Sequence, residues 1–418
     1  MYSIDGKIIT VENKFPENKV TSLTFQTSGS KFPTGTVLNG ADYFEFRSLT
    51  ENSVTVNFGD GTIETYLFVL ESGQYKFQMN PYNTVAGKRY GEHVYQDGNS
   101  GIRNITFEFQ NIEKITAIDV LYVKLEGLFP SEVYAAKDLN FLRLYRTKSL
   151  TEFPLSISEN KNLKTVDLRD ISEFKLLKIP DGLFELDLEV FSGYSVFNLS
   201  NVISSNFFKI NQWATTLEKL DLSSCGIRTL PQSFFSLTNL FDLRLANNDF
   251  DYFPEGFNSL KKLTRFYLGS QDLTFNENSE WGDISELNDL RILLLSQTDL
   301  SVDDINIHFR GLFSLTDVFM GNGTFIDRFQ DDRFDDFINS FYFLCTSEGY
   351  LNPSSAPISE NYPNKFRNIS WGHSSLSQTG NIQAPSGFSL GISNGTPANQ
   401  GEKIYVLVNN YGHTITTS

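Results

Sequence analysis

Apolar residues fall on a spaced ladder through the middle of the chain. In LEKLDLSSCGIRTLP, residues 217–231, the rungs are Leu217, Leu220, Leu222, Cys225 and Ile227, which spells L-x-x-L-x-L-x-x-C-x-I. The ladder returns at Leu240, Leu243, Leu245, Asn248 and Phe250, and again at Leu263, Phe266, Leu268, Gln271 and Leu273, with a step of 23 residues. Looser copies start at Leu290 and Leu315 and, upstream, at Leu139, Leu163, Leu183 and Ile118. A fixed period of this length signals stacked units, each burying its apolar face against its neighbours. Within each L-x-L the middle residue faces outward, because strand side chains alternate.

The ladder and the phrases TLPQSFFSLTNL and YFPEGFNSLKKL resemble a leucine-rich repeat solenoid. That resemblance covers residues 113–326 as about eight to nine repeats. It implies one short parallel strand per repeat on a concave sheet, and an inward residue at the Asn/Cys position that satisfies backbone groups at the turn. Asn248, Gln271 and Thr298 suit that role by hydrogen bonding and Cys225 by its small size, while Thr147, Ile171 and Phe191 fill the position upstream.

Residues 1–112 change rhythm to alternating strands separated by turn signals. IDGKIITV and SVTVNFGDGTIETYLFV each place Asp-Gly between alternating apolar runs, which predicts hairpins and puts Asp60 and Gly61 in a turn. VNFGDGTIET, followed by HVYQDG and ITFEF, resembles a polycystic-kidney-disease-type (PKD-like) β-sandwich, immunoglobulin-like in architecture. Beyond the ladder, Phe329, Phe334, Phe337, Ile338, Phe341 and Cys345 recur at helical spacing opposite Asp331, Asp332, Asp335 and Asp336, which predicts a cap helix over 327–349. Residues 350–418 read as a β-rich tail or attachment segment with strand candidates GFSLGIS and KIYVLVNNYG. The fold class expected is thus an α/β leucine-rich repeat solenoid with an N-terminal immunoglobulin-like sandwich and a small C-terminal β-rich tail.

Charge narrows the partners. A net charge of −16 over 418 residues disfavours a nucleic-acid phosphate backbone, whose binding needs a surplus of Lys and Arg on one face. No run approaches a membrane-spanning length, so membrane insertion is not expected. Charged residues interrupt MYSIDGKIITVENKF, so no classical export signal is expected and the chain is read as cytoplasmic during synthesis. Two cysteines, Cys225 and Cys345, do not make a disulfide framework.

Candidate chemistry is sparse. His93, His308, His373 and His413 lie in four regions without a second ligand at metal spacing, so no metal is expected. FGDGT lacks the lysine and helix of a phosphate loop, and no cofactor is expected; Asp60 is a weak cation candidate within its turn. Both thiols read as buried and inert. What remains is the outward column of the ladder: Tyr122, Arg143, Asp167, Asp187, Asp221, Arg244, Tyr267, Leu294 and Phe319. Its carboxylates are flanked by Arg143 and Arg244, and its C-terminal end turns aromatic and apolar, as partner-binding surfaces tend to be. A solvated face with balanced charges is the competing reading.

The function expected is a non-catalytic binding or adhesion protein presenting this face to a protein or glycan on a cell surface. A structural subunit of a large assembly is the second reading, and an enzyme built on the three Asp residues the third. Leucine-rich repeats behind a PKD-like domain resemble proteins of Bacteroidota and their phages. That likeness allows both settings, and the export signal missing from the start of the chain favours a virion component, tail or fibre-like, with a bacterial surface or secreted adhesin as alternative; virion or extracellular placement follows, and oligomerisation stays open.

Overall fold

The computed structural model describes residues 2–4, 7–9, 20–28, 43–80, 91–92, 102–147, 150–171, 181–196, 212–250, 256–269, 284, 286–294, 317–321, 368–372 and 414–417. The strands of the N-terminal region are β1 (Tyr2–Ile4), β2 (Lys7–Ile9), β3 (Ser22–Ser28), β4 (Tyr43–Ser48), β5 (Ser53–Asn57), β6 (Ile63–Leu67), β7 (Val69–Glu71), β8 (Gln74–Asn80), β9 (Gly91–Glu92) and β10 (Ile102–Phe109). β1 and β2 pair antiparallel, with Ile4 opposite Lys7 on either side of Asp5-Gly6.

Two sheets meet in this region. One has the order β3-β10-β5-β6, and β4, β8 and β7 belong to the other. Along β10 the side chains of Arg103, Ile105, Phe107 and Phe109 are buried while those between are more exposed, the period of two that a half-buried strand requires. Their rings close the gap between the sheets: Phe25 lies 5.2 Å from Phe44, and Phe107 lies 4.9 Å from Phe46. The β5–β6 turn carries the FGDG sequence. There the Phe58 N–H donates to the Thr62 carbonyl at 3.1 Å and the Thr62 N–H to Asp60 Oδ1 at 2.9 Å. Gly59 sits at φ 79°, and a Cβ on it would lie 2.6 Å from the Asn104 carbonyl oxygen. Only glycine fits that combination of backbone angle and close approach.

Beyond residue 110 the chain begins to repeat. The strands are β11 (Ile115–Leu121), β12 (Gly127–Leu128), β13 (Phe141–Tyr145), β14 (Leu150–Glu152), β15 (Thr165–Asp167), β16 (Val190–Ser192), β17 (Lys219–Asp221), β18 (Asp242–Arg244), β19 (Arg265–Tyr267), β20 (Ile292–Leu294), β21 (Asp317–Gly321), β22 (Asn368–Gly372) and β23 (Thr414–Thr417). From β11 to β23, with β12 and β14 pairing separately, neighbours are parallel and form one sheet. Ile118, Leu142, Val166, Phe191, Leu220, Leu243, Phe266 and Leu293 stand in one inward row, each fully or almost fully buried.

Opposite the sheet, short 3₁₀ turns follow the proline-bearing phrases at Ser131–Ala135, Leu155–Glu159 and Gln232–Ser236. Pro130, Pro154 and Pro231 are the N-caps of these turns, and their carbonyls accept from the N–H groups of Val133, Ile157 and Phe234. Phe235 of the last of these turns packs edge-on against Phe257 of the next turn, Phe257–Ser259, at 5.2 Å, and Phe257 lies tilted 4.9 Å from Phe266 of β19. In the lengthened repeat, the short helix α1 (Gln212–Thr216) contributes Trp213, which packs on Phe184 and Phe191 at 5.0 and 5.1 Å.

The register corrects the sequence reading at three points. In the first repeat the outward column position is Asp119, opposite Arg143, whereas Tyr122 lies three residues on, at φ 54° in the turn. In the fourth strand of the ladder the column residue is Ser192, between Asp167 and Asp221; Asp187 precedes β16 and lies off the column. Phe191 is accordingly an inward rung of that strand, and Val196, fully buried, takes the Asn/Cys position. The sequence LFELDLEVFSG offers the apolar spacing in two phases, and the sheet takes the later one.

The boundary at residue 112 is also crossed by hydrogen bonds. β4 pairs antiparallel with β11, Glu45 opposite Asp119 and Phe46 opposite Ile118, so the sheet of the repeats continues into the N-terminal region. The cap helix expected over 327–349 and the strand candidates GFSLGIS and KIYVLVNNYG lie outside the described residues. The described tail residues instead pair as β22 on β21 and β23 on β22.

Candidate functional site

Three outward rows run across the sheet. The central one reads Glu45, Asp119, Arg143, Asp167, Ser192, Asp221, Arg244, Tyr267 and Leu294 from strand to strand, and the register of the last pairing sets Phe319 opposite Leu294. Two residues earlier on each strand stand Phe141, Thr165, Val190, Lys219, Asp242, Arg265 and Ile292. Two residues later come Tyr145, Arg169 and Tyr194.

Ion pairs fill the N-terminal part of this face. Arg143 grips Asp119 with two hydrogen bonds, Nε to Oδ1 at 2.9 Å and Nη2 to Oδ2 at 2.6 Å. Glu45 receives Arg47 Nε at 2.6 Å and Lys76 Nζ at 2.9 Å. Both carboxylates are buried. Burial pushes the Asp119 carboxyl above the ordinary carboxylate range, against the pull of Arg143. The same burial and the Asp119 charge raise the Tyr43 hydroxyl to about 12.

Farther along, Arg169, in the turn after β15, closes a two-pronged pair on Asp167 at 2.8 and 2.6 Å and stacks over the Tyr145 ring at 5.3 Å. Asp242, buried in the first outward row, holds Arg244 at 3.2 Å and Arg265 at 3.1 Å. Arg244 in turn lies 4.8 Å over the Tyr267 ring. The guanidinium groups are therefore spread flat between carboxylates and rings, an arrangement worth more than an isolated surface pair.

Asp221 differs. Its hydrogen bonds come from Ser223, the backbone N–H donating to Oδ1 at 3.0 Å, and it makes no ion pair among the described residues. Burial raises its carboxyl above the ordinary range, and the Ser223 hydrogen bonds, followed by the Arg244 and Arg169 charges, offset only part of the rise.

Of the sequence-named column, Arg143, Asp167, Asp221, Arg244, Tyr267, Leu294 and Phe319 thus share one row, and Asp187 does not. Glu45, Asp119, Asp242, Arg169 and Ser192 are additions. Only the phase of the ladder could have revealed Asp119 and Ser192 beforehand, and Glu45 comes from outside the ladder.

Beneath the face, Cys225 is fully buried, its thiol donating to the Gly193 carbonyl at 3.0 Å. Burial pushes that thiol up to about 12. Asn248 explains the position: its Nδ2 donates to the carbonyls of Leu222 and Leu245 at 3.0 and 2.8 Å, and its Oδ1 accepts the N–H groups of Cys225 and Ile227 at 3.0 and 3.1 Å. One side chain satisfies the turn backbone of two successive repeats. Among the described residues no three His, Cys, Asp or Glu side chains gather as a metal site, and no helix is long and apolar enough to cross a membrane.

Residues 215–273 match the family model described as leucine rich repeat, the span that contains the three regular ladders and Asn248. The repeats of that span are leucine-rich repeats. Disease resistance-like protein DSC1 of Arabidopsis thaliana is 24% identical over 220 residues, 51% of this chain and 18% of that protein, so the chain spans under a fifth of the relative's length. Among solved structures, the leucine-rich repeat ectodomain of the plant membrane receptor kinase GASSHO1/SCHENGEN3 from Arabidopsis thaliana is 21% identical, covering 56% of this chain and 26% of that one with a TM-score of 0.37. Internalin C2 of Listeria monocytogenes is 18% identical, covering 45% and 73%, with a TM-score of 0.31. Leucine-rich repeat solenoids are binding modules rather than catalysts, and their curved sheets offer extended surfaces to proteins.

Proposed function

We propose that this chain is a non-catalytic binding protein whose outward sheet face, from Asp221 through Arg244 and Tyr267 to Leu294 and Phe319, receives a protein partner. The observation that carries this reading is the change along one row of the sheet: carboxylates and guanidinium groups locked to one another give way to Tyr267 and Leu294, both partly open. Aromatic and arginine side chains held rigid in this way lose little entropy on binding. A glycan, which stacks on aromatic rings and hydrogen-bonds to fixed carboxylates, is the second ligand class.

For the wider setting we propose eight to nine repeats behind a PKD-like, immunoglobulin-like N-terminal sandwich, displayed on a virion as a tail or fibre-like component. The resemblance of VNFGDGTIET to PKD-like sequences supports it, as do two phenylalanine-lined sheets at that end. A bacterial surface adhesin, or a structural subunit without an external ligand, is the alternative.

Selection of binders from a random peptide display library on the intact chain tests the binding face. Peptides retained by the native chain should be lost on Tyr267→Glu and kept on Leu155→Glu, a change on the opposite side. Retention on both variants would refute the reading. Mass spectrometry of purified particles tests the virion setting, and recovery of the chain only as a free cytosolic monomer would count against it.

A further inference from the structure

We propose that Asp221, Ser192 and Tyr194 form a subsite for a cationic side chain, an arginine or lysine, of the protein partner. The inference rests on the binding reading above and gives it a chemical identity. Every other carboxylate named on this face already has a cation: Glu45 has Arg47 and Lys76, Asp119 has Arg143, Asp167 has Arg169, and Asp242 has Arg244 and Arg265. Asp221 has none among the described residues, although it is partly buried.

A second observation falls at the same place. Ser192 is Asp221's partner on the neighbouring strand, in the same outward row, and is only 8% exposed. Its hydroxyl oxygen is buried and has no hydrogen-bond partner among the described residues. A buried hydroxyl without a partner costs free energy, as does a desolvated carboxylate without a cation. Two such groups side by side, about 5 Å apart as facing positions on adjacent strands, fit one incoming donor.

Tyr194 completes the shape. It follows Ser192 by two residues, in the turn that leaves β16, and at 37% exposed it is a large aromatic side chain open to solvent. A guanidinium or ammonium group can lie on its ring while donating to Asp221 and Ser192, the combination this protein uses internally where Arg244 pairs with Asp242 and covers Tyr267. The nearby cations cannot fill the role, since Arg169 and Arg244 are held by Asp167 and Asp242.

The probe is the tripeptide acetyl-Gly-Arg-Gly-amide, observed by saturation-transfer NMR against the intact chain at millimolar concentration, with its citrulline counterpart as the neutral isostere. Transfer to the arginine side chain is expected from the native protein. It should fall about tenfold for Asp221→Asn, the loss expected from one charge-assisted hydrogen bond, and for citrulline. Ser192→Ala and Tyr194→Ala should each lower it less. Asp221→Asn keeps an oxygen for the Ser223 N–H, and a thermal melt verifies that it folds. Equal transfer from the native and Asp221→Asn proteins, or none from either, would overturn the subsite. Library peptides that depend on Tyr267 but ignore Asp221→Asn would remove this inference and leave the binding face standing. Peptides indifferent to Tyr267→Glu would remove the face itself.

Discussion

Arg143 lies across Asp119 with both of its hydrogen bonds under 3 Å, joining the second repeat strand to the first at a carboxylate that solvent does not reach. Removing the arginine leaves a buried charge with only the Arg47 guanidinium, 4.0 Å away, to face it. Arg143→Ala should therefore destabilise the protein by about 3–5 kcal/mol, well beyond the value of a surface pair. Urea denaturation monitored by fluorescence measures the loss, and a change under about 1 kcal/mol would show that Asp119 is solvated.

Asn248 answers four backbone groups in two repeats. Asn248→Ala leaves those groups unpaired within the array and should cost about 2–4 kcal/mol. Hydrogen exchange should localise the damage, with the amides of Cys225 and Ile227 losing protection before those of β13.

The Cys225 thiol should be silent in the folded protein. With its proton held to about pH 12 and no exposed surface, it should resist iodoacetamide at neutral pH and become labelled only in denaturant. Peptide mapping distinguishes it from Cys345. Labelling of Cys225 under native conditions would contradict its burial.

Asp221 sets a pH signature. Its folded carboxyl titrates above the ordinary value of 3.8, so the unfolded chain loses that proton first as pH rises. Relative to Asp221→Asn, the native protein is at its most stable below 3.8 and loses that stability as the pH climbs through the folded value. Above that window the Asn variant should melt at an equal or higher temperature. A melting difference that is constant across the acid range would show that Asp221 does not titrate in this way.

Gly59 tests the turn that carries FGDG. Gly59→Ala forces a positive φ on a side chain and drives its Cβ to 2.6 Å from the Asn104 oxygen, and should cost more than about 1 kcal/mol. Gly61→Ala, at φ 95° but with no atom within 4 Å of the added Cβ, should cost less.

The regular repeats are legible in the sequence because the period is unbroken: Leu220, Leu243 and Phe266 can be aligned without knowing what they pair with. Where the period stretches, local spacing no longer decides. Leu183, Leu186 and Leu188 imitate a strand ladder, yet pairing with Val166 and Leu220 selects Phe191, and Leu183 becomes part of a 3₁₀ turn. The same ambiguity gives Tyr122 a place that belongs to Asp119. Half of the candidate face is legible through the alternation rule once the phase is known. Glu45 and the locking of Asp242 between two arginines depend on which strands become neighbours, and no local pattern carries that information.

The antiparallel union of β4 with β11 has a consequence for how such an array is built up. A stack of similar units gains its stability from nearest-neighbour contacts, and growth is easiest where one neighbour is already in place. With β4 supplying a formed edge, β11 can be templated from the N-terminal side, and each later rung can be laid on the one before it. Trimming rungs from the far end should shorten the stack step by step, whereas cutting between β4 and β11 would take away the primer on which the series begins.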